Sequence, residues 1–166
     1  MDLEQPGSSS TKNQVSLSEK LDWKKWLFWF QDELRKLPQI EPEIKNSFSP
    51  GVYARTIYMP AGIYLIGKTH KTEHFNIAHT GMANVTIDGQ TKLICGGEFF
   101  KSEPGSKKVF EIISAMKWTT IHPTEKTDID EIEKDTVYTD EEEVLLMQSE
   151  IKELESQVSD LKLEVL

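Results

Sequence analysis

Cysteine occurs once in this 166-residue chain, at Cys95. A single thiol excludes an internal disulfide and any multi-cysteine zinc site, and it fits a reducing compartment. No apolar run approaches the length of a membrane span, and "MDLEQPGSSSTKNQ" lacks the basic start and apolar block of a secretion signal. A membrane association is therefore not expected. Basic residues are outnumbered, 19 Lys and Arg against 28 Asp and Glu, and they form no patch. Phosphate neutralisation needs clustered cations, so direct nucleic-acid binding is not expected either. Hydrophobic content is only 37% against 28% charged, too little for a compact enzyme filling the whole length. Part of the chain must be extended or solvated.

The charge is concentrated in one place. Residues 126–166 hold 14 acids and 4 bases, whereas the rest is close to neutral. Acidity thus belongs to the tail, and the remaining length suffices for one domain with a real core.

Five segments follow from composition and period. Residues 1–15 are polar and read as a flexible lead-in. Ser16 and Glu19 stand at capping-box spacing before an amphipathic aromatic helix over 16–37, stopped by Pro38. Trp23, Trp26, Leu27 and Phe30 recur on its face, which points to packing on its own domain or on a neighbouring subunit. Its flanking charges are mixed, unlike the Lys/Arg-rich face of a membrane anchor. Residues 38–124 break into β-type runs separated by turn signals, among them "MANVTI" and "TKLIC" around "DGQ". Asp-Gly suits positive φ in a tight hairpin, and about six to eight such strands predict a mainly β sandwich or barrel. An acidic connector, 125–140, precedes a last helix over 141–166. There Val144, Met147, Ile151, Leu154, Val158, Leu161 and Val165 alternate at spacings of three and four, a heptad seam that predicts homo-oligomerisation through a coiled coil. "TDEEEV" reads as a solvated helix start, acids being favoured at the N-terminal dipole.

Three of the four histidines lie in "GKTHKTEHFNIAHTG", residues 67–81. Alternation along an extended strand puts His70, Thr72, His74 and Asn76 on one face and Glu73, Phe75, Ile77 and His79 on the other. His70 and His74 can then share a divalent metal ion, with His122 entering from a neighbouring strand and Glu73 joining only through a bulge. The alternative is a polar β interior in which the histidines are hydrogen-bonded to Asn76, Thr72 and tyrosine hydroxyls. His79 reads as a packing residue. No catalytic residue is assigned: Cys95 has no partner histidine readable from the sequence, and "DGQTKLICGG" lacks phosphate-loop spacing.

The stretches "LPQIE", "SPGVYAR", "MPAGIYLIGKTHKTEHFNI", "DGQ", "FFKSEPGSKK" and "WTTIHPT" together resemble the cupin superfamily of small jelly-roll β-barrels. More narrowly, they resemble small tailed-bacteriophage proteins with a cupin-like core. The resemblance spans residues 37–124 and leaves out both terminal helices. It implies a cupin-like barrel and a metal site whose ligand positions carry Lys68, His70, His74 and Lys108. Two lysines among four positions repel a cation. The resemblance further implies a virion or host-cytoplasm setting. It favours a non-enzymatic assembly protein that self-associates and binds other phage structural proteins through its terminal helices. A metal-dependent enzyme acting on a small sugar-like metabolite, or a factor binding a host protein, are the alternatives.

Overall fold

The structure is a computed structural model and describes residues 15–164, with side chains described through Leu161. The expected lead-in falls almost wholly outside the described residues, as does Val165. Helix α1 (Leu17–Arg35) starts as its sequence predicts, with the Ser16 hydroxyl accepting from the Glu19 amide and the Glu19 carboxylate accepting from Ser16 N–H. The β region then begins at Glu43. Strands β1 (Glu43–Ser49), β2 (Val52–Met59), β3 (Tyr64–Ile66), β4 (His74–Ile87), β5 (Gln90–Cys95), β6 (Phe99–Ser102) and β7 (Lys108–Pro123) are followed by α2 (Ile129–Thr136) and α3 (Asp140–Glu164).

The fold is mainly β. All pairs are antiparallel, and the ladder runs β1-β2-β7-β4-β5, with β3 added to β7 and β6 to β4. The "DGQ" hairpin is present: Asp88 and Gly89 both take positive φ, 50° and 79°. The two longest strands change register against each other between Ala78 and Ala83. Extra residues there bend a strand and increase its twist. Gly81 makes this crossing, at φ 86°, and a Cβ on it would press on the Ala115–Met116 backbone. Any side chain at Gly81 would push the strands apart.

Alternation then sorts the side chains. Met59, Ala78, Ala83, Val85, Phe110, Ile112, Met116 and Trp118 form the core on the inner face. Val109, one residue out of phase with Phe110, points the other way into a second cluster with Leu27 and Met147. The terminal helices cover the sheet at that point. They lie antiparallel, with Lys24 on Glu150 at 2.7 Å, Lys25 on Glu155 at 2.7 Å and Arg35 near Asp140 at 3.8 Å. Along the heptad seam, Met147 is buried against α1 and the sheet, Val144, Ile151, Leu154 and Val158 are half-buried, and Leu161 is exposed. The early turns of the seam thus pack within the chain itself. On α1, Leu27 is buried while Trp23, Trp26 and Phe30 form a stack that ends edge-on against Tyr64.

Two expectations need correcting. The acidic connector contains a helix, α2, capped by Asp128 and anchored by the fully buried Ile132. Nor is the start of α3 wholly solvated. Glu143 is buried, pairs with Lys107 at 2.6 Å and accepts from the Thr69 amide. The dipole argument for an acid-rich first turn holds, but it overlooked that one acid in four faces the sheet.

Candidate functional site

Register across β2, β7 and β4 builds one wall of an inner cavity in rows. Tyr53 pairs with His122, Arg55 with Thr120 and Ile57 with Trp118. On the other side of β7, Asn76 pairs with Thr120 and Ala78 with Trp118. Residues directly opposite share a face. The inner face therefore carries an Arg55–Thr120–Asn76 row between an apolar row, Ile57–Trp118–Ala78, and an aromatic-imidazole row, Tyr53–His122–His74. The cavity is partly open and measures about 280 Å3, just under the usual range of ligand sites.

Lys108 joins this wall from the far end of β7. Fourteen residues separate it from His122, about 46 Å in an extended strand at roughly 3.3 Å per residue. Yet Lys108 Nζ lies 3.0 Å from His74 Nε2, and the His74 and His122 rings are 5.1 Å apart. Only the bend in β7 brings its two ends onto one site.

His70 arrives outside any long strand. Its backbone is gripped on one side by Ser106 and Gly105, and on the other by a short antiparallel pairing of residues 69–71 with 136–138. The segment following α2 thus holds His70 in place. The rings of His70 and His74 stack at 3.8 Å, and those of His70 and His122 at 5.2 Å.

The structure gathers His70, His74 and His122 as the sequence predicts, with one nitrogen of each within 4.8 Å of the others. It does not bring Glu73 to them. Glu73 is exposed and paired with Lys101 at 2.7 Å, because residue 73 falls on the outer face. His79 also lies apart from the cluster, exposed and bonded to Thr119 Oγ1 at 2.7 Å. Lys68 sits at the cavity rim, 3.6 Å from Glu133. Of the partners foreseen for a polar interior, Thr72 is found, its carbonyl accepting from His74 Nδ1, whereas Asn76 Nδ2 donates to Ser102 Oγ and Tyr53 donates to Asn46.

Burial governs protonation here. It pushes the His70 pKa down to about 2, helped by the charges of His74, Lys108, His122 and Arg55. His74 is pushed to about 4 by burial and Lys108, and His122 to about 4 by burial, His74, Lys108 and Arg55. At neutral pH all three are uncharged imidazoles. Burial also lowers Lys108 to about 8, which leaves it mostly an ammonium at pH 7. Its proton fixes the tautomer of His74: Lys108 donates to Nε2, so Nδ1–H donates to Thr72.

The three imidazoles are grouped closely enough to be weighed as ligands of one divalent cation, and two features of the arrangement oppose it. Imidazole lone pairs lie in the ring plane, and stacked rings aim them side by side instead of at one centre. Lys108 already holds the His74 nitrogen that faces the cluster and puts a positive charge where the ion would sit.

Three polar atoms of the site are buried without a hydrogen-bond partner among the described residues: His70 Nδ1, His122 Nδ1 and Asn76 Oδ1. Arg55, half-buried on the same wall, makes no salt bridge among the described residues. Sequence reading did not single it out. Its one signal was alternation, since Tyr53, Arg55, Ile57 and Met59 share the inner face of β2.

No protein-family model matches the chain, and no curated protein matches it. Similar solved structures include the Cnp3 cupin domain of Schizosaccharomyces pombe, 20% identical with a TM-score of 0.44, over 61% of this chain and 76% of that one. A cupin-2 domain protein from Shewanella frigidimarina is 14% identical with a TM-score of 0.41, over 57% and 92%. The DMSP lyase DddQ from Ruegeria pomeroyi is 16% identical with a TM-score of 0.45, over 52% and 49%. Likeness at this level carries no activity across. No helix among the described residues is long and apolar enough to cross a membrane.

Proposed function

We propose that the β region is a binding module for a small organic molecule, held in the inner cavity without a resident metal ion. The observation that carries this reading is the polar wall: His70, His122 and Asn76, each with a buried polar atom that has no partner among the described residues, line one cavity together with Lys108 and Arg55. Buried polar atoms without partners cost stability, and a ligand supplying those partners recovers it. Lys108 beside the His74 imidazole is the one amine–base pair in the arrangement, and the reading proposed is binding.

Ligand-observed NMR of the full-length protein against a small-fragment library tests this. Binding lost in Thr120→Phe, which fills the cavity, is expected; binding that ignores this change, or no binding at all, would sink the reading. Elemental analysis of protein purified without chelator supplies the other arm. Stoichiometric metal that disappears in His70→Ala and His74→Ala would replace it by a metal-dependent enzyme with His70, His74 and His122 as ligands.

Self-association through the helical hairpin is a second reading, favoured by the exposure of Trp29, Leu145 and Leu161 at 56%, 67% and 49%. Removing α3 is a poor test, since Met147 and Glu143 complete the fold's own packing. Light scattering on full-length protein and on Leu161→Lys is cleaner: an oligomer reduced to monomer supports assembly, and a wild-type monomer excludes it. A place for such an assembly in a phage particle rests on the sequence resemblance alone.

A further inference from the structure

We infer that the cavity ligand is a small hydroxy-carboxylate with an apolar body, its carboxylate held by Arg55 and Lys108 and its hydroxyl by Asn76. The inference rests on the small-molecule reading above and narrows it to one chemical class.

Charge comes first. Four charged side chains line the cavity: Arg55, Lys68, Lys108 and Glu133. Lys68 and Glu133 offset each other at the rim, 3.6 Å apart. Arg55 and Lys108 remain without a carboxylate among the described residues, and the imidazoles around them are neutral. The polar wall therefore carries two uncompensated cations, one of them only 5% exposed. Buried charge is retained only when something pairs with it. A ligand carboxylate does so, and its two oxygens accept from a guanidinium and an ammonium together.

Asn76 supplies the second feature. It is completely buried; its amide nitrogen donates to Ser102 Oγ at 2.9 Å, and its oxygen has no donor. A ligand hydroxyl both donates and accepts, so it satisfies this amide whichever way the group is turned. Thr120 lies between Arg55 and Asn76 in the same row. Neighbouring strands are about 4.8 Å apart, so Arg55 and Asn76 start about 9.6 Å apart across β7. The long arginine side chain closes part of that distance, and a 2-hydroxy acid is the shortest ligand that offers both groups. The third feature is the next row. Ile57 and Trp118, with Phe110 packed edge-on to the indole at 5.1 Å, give the ligand an apolar wall. A di- or triphosphate, or a polyhydroxylated sugar, would leave polar groups against that surface.

Isothermal titration of the full-length protein at pH 7 uses three probes: 2-hydroxy-4-methylpentanoate, its uncharged amide, and 4-methylpentanoate without the hydroxyl. The hydroxy acid should bind about tenfold or more tighter than the amide, and tighter than the parent acid, since a hydrogen bond to a charged group is worth about that factor. Arg55→Met should remove most of the preference for acid over amide, whereas Lys92→Met, on the outer surface, should leave it intact. The wild-type probe comparison decides the matter even where Arg55→Met fails to fold. Amide binding as tight as the acid, or parent acid binding as tight as the hydroxy acid, overturns the inference. If none of the three probes binds while neutral fragments still occupy the cavity, this assignment falls and the small-molecule reading survives; if fragments fail too, both fall.

Discussion

Lys107 and Lys108 are adjacent in sequence and almost equally buried, at 6% and 5% exposure, yet their surroundings differ completely. Lys107 turns outward under α3 and meets the Glu143 carboxylate at 2.6 Å. Lys108 turns inward and meets a neutral imidazole. Burial lowers the pKa of both, but for Lys107 the hydrogen bond and charge of Glu143 oppose that shift, while nothing opposes it for Lys108. One lysine is a structural clamp whose charge is matched inside the chain. The other is a cation left unmatched, as expected of a group held for a ligand.

The steepest expected effect sets the Lys108 side of this comparison apart. The three histidines around it have folded pKa values of about 2 to 4, against roughly 6.5 unfolded. The unfolded chain therefore takes up protons first as pH falls. The histidine contribution to stability is complete above about pH 6.5 and drops below it by about 1.4 kcal/mol per pH unit for each histidine titrating. Urea midpoints from pH 7 to pH 5 should follow that slope, and His70→Phe should make it shallower.

Next in size is loss of the clamp. Glu143→Ala strands Lys107 and leaves the Thr69 amide without its acceptor, which should cost about 3–5 kcal/mol in urea unfolding. The double change Lys107→Met with Glu143→Leu should recover most of it, because a well-packed apolar pair replaces a buried ion pair at little cost.

Lys108→Met should do the opposite of breaking the clamp. Removing an unmatched buried charge is expected to raise stability at pH 7 by about 1–2 kcal/mol, the lost bond to His74 offsetting part of the gain. Wild-type stability should also climb from about pH 8 to about pH 10.5. The folded lysine releases its proton near 8 while the unfolded one keeps it to about 10.4. In Lys108→Met that rise should flatten. Thermal melts across this range check both points.

The smallest effect belongs to the rim of the helical hairpin. Lys25 and Glu155 are half exposed, so Lys25→Ala should cost no more than about 0.5 kcal/mol, and less in high salt.

Local chemistry was readable in advance wherever neighbours in sequence decide the outcome. Ser16 and Glu19 announced the first helix, Asp88-Gly89 the hairpin, and strict alternation the inner placement of His74 and Asn76. The gathering of His70, His74 and His122 was legible as well: alternation puts the first two on one face, and His122 is the one other imidazole at the end of a β-run. Three things were not legible. Helix α2 is short, and its single buried anchor, Ile132, is hidden in an acidic stretch. Glu143 looks like its three exposed neighbours until the sheet is placed beneath it. Arg55 is one arginine in a strand, given meaning only by Thr120 and Asn76 beside it.

The sequence by itself determined the mainly β character, the terminal helices and the alternation that puts His74 and Asn76 on the inner face. Period and capping act over a few residues, so they need no knowledge of the rest of the chain. What occupies each face was decided only by tertiary structure. The bend around Gly81 folds β7 back until Lys108 and His122 share a cavity, and the docking of α3 brings a carboxylate to one lysine and none to the other.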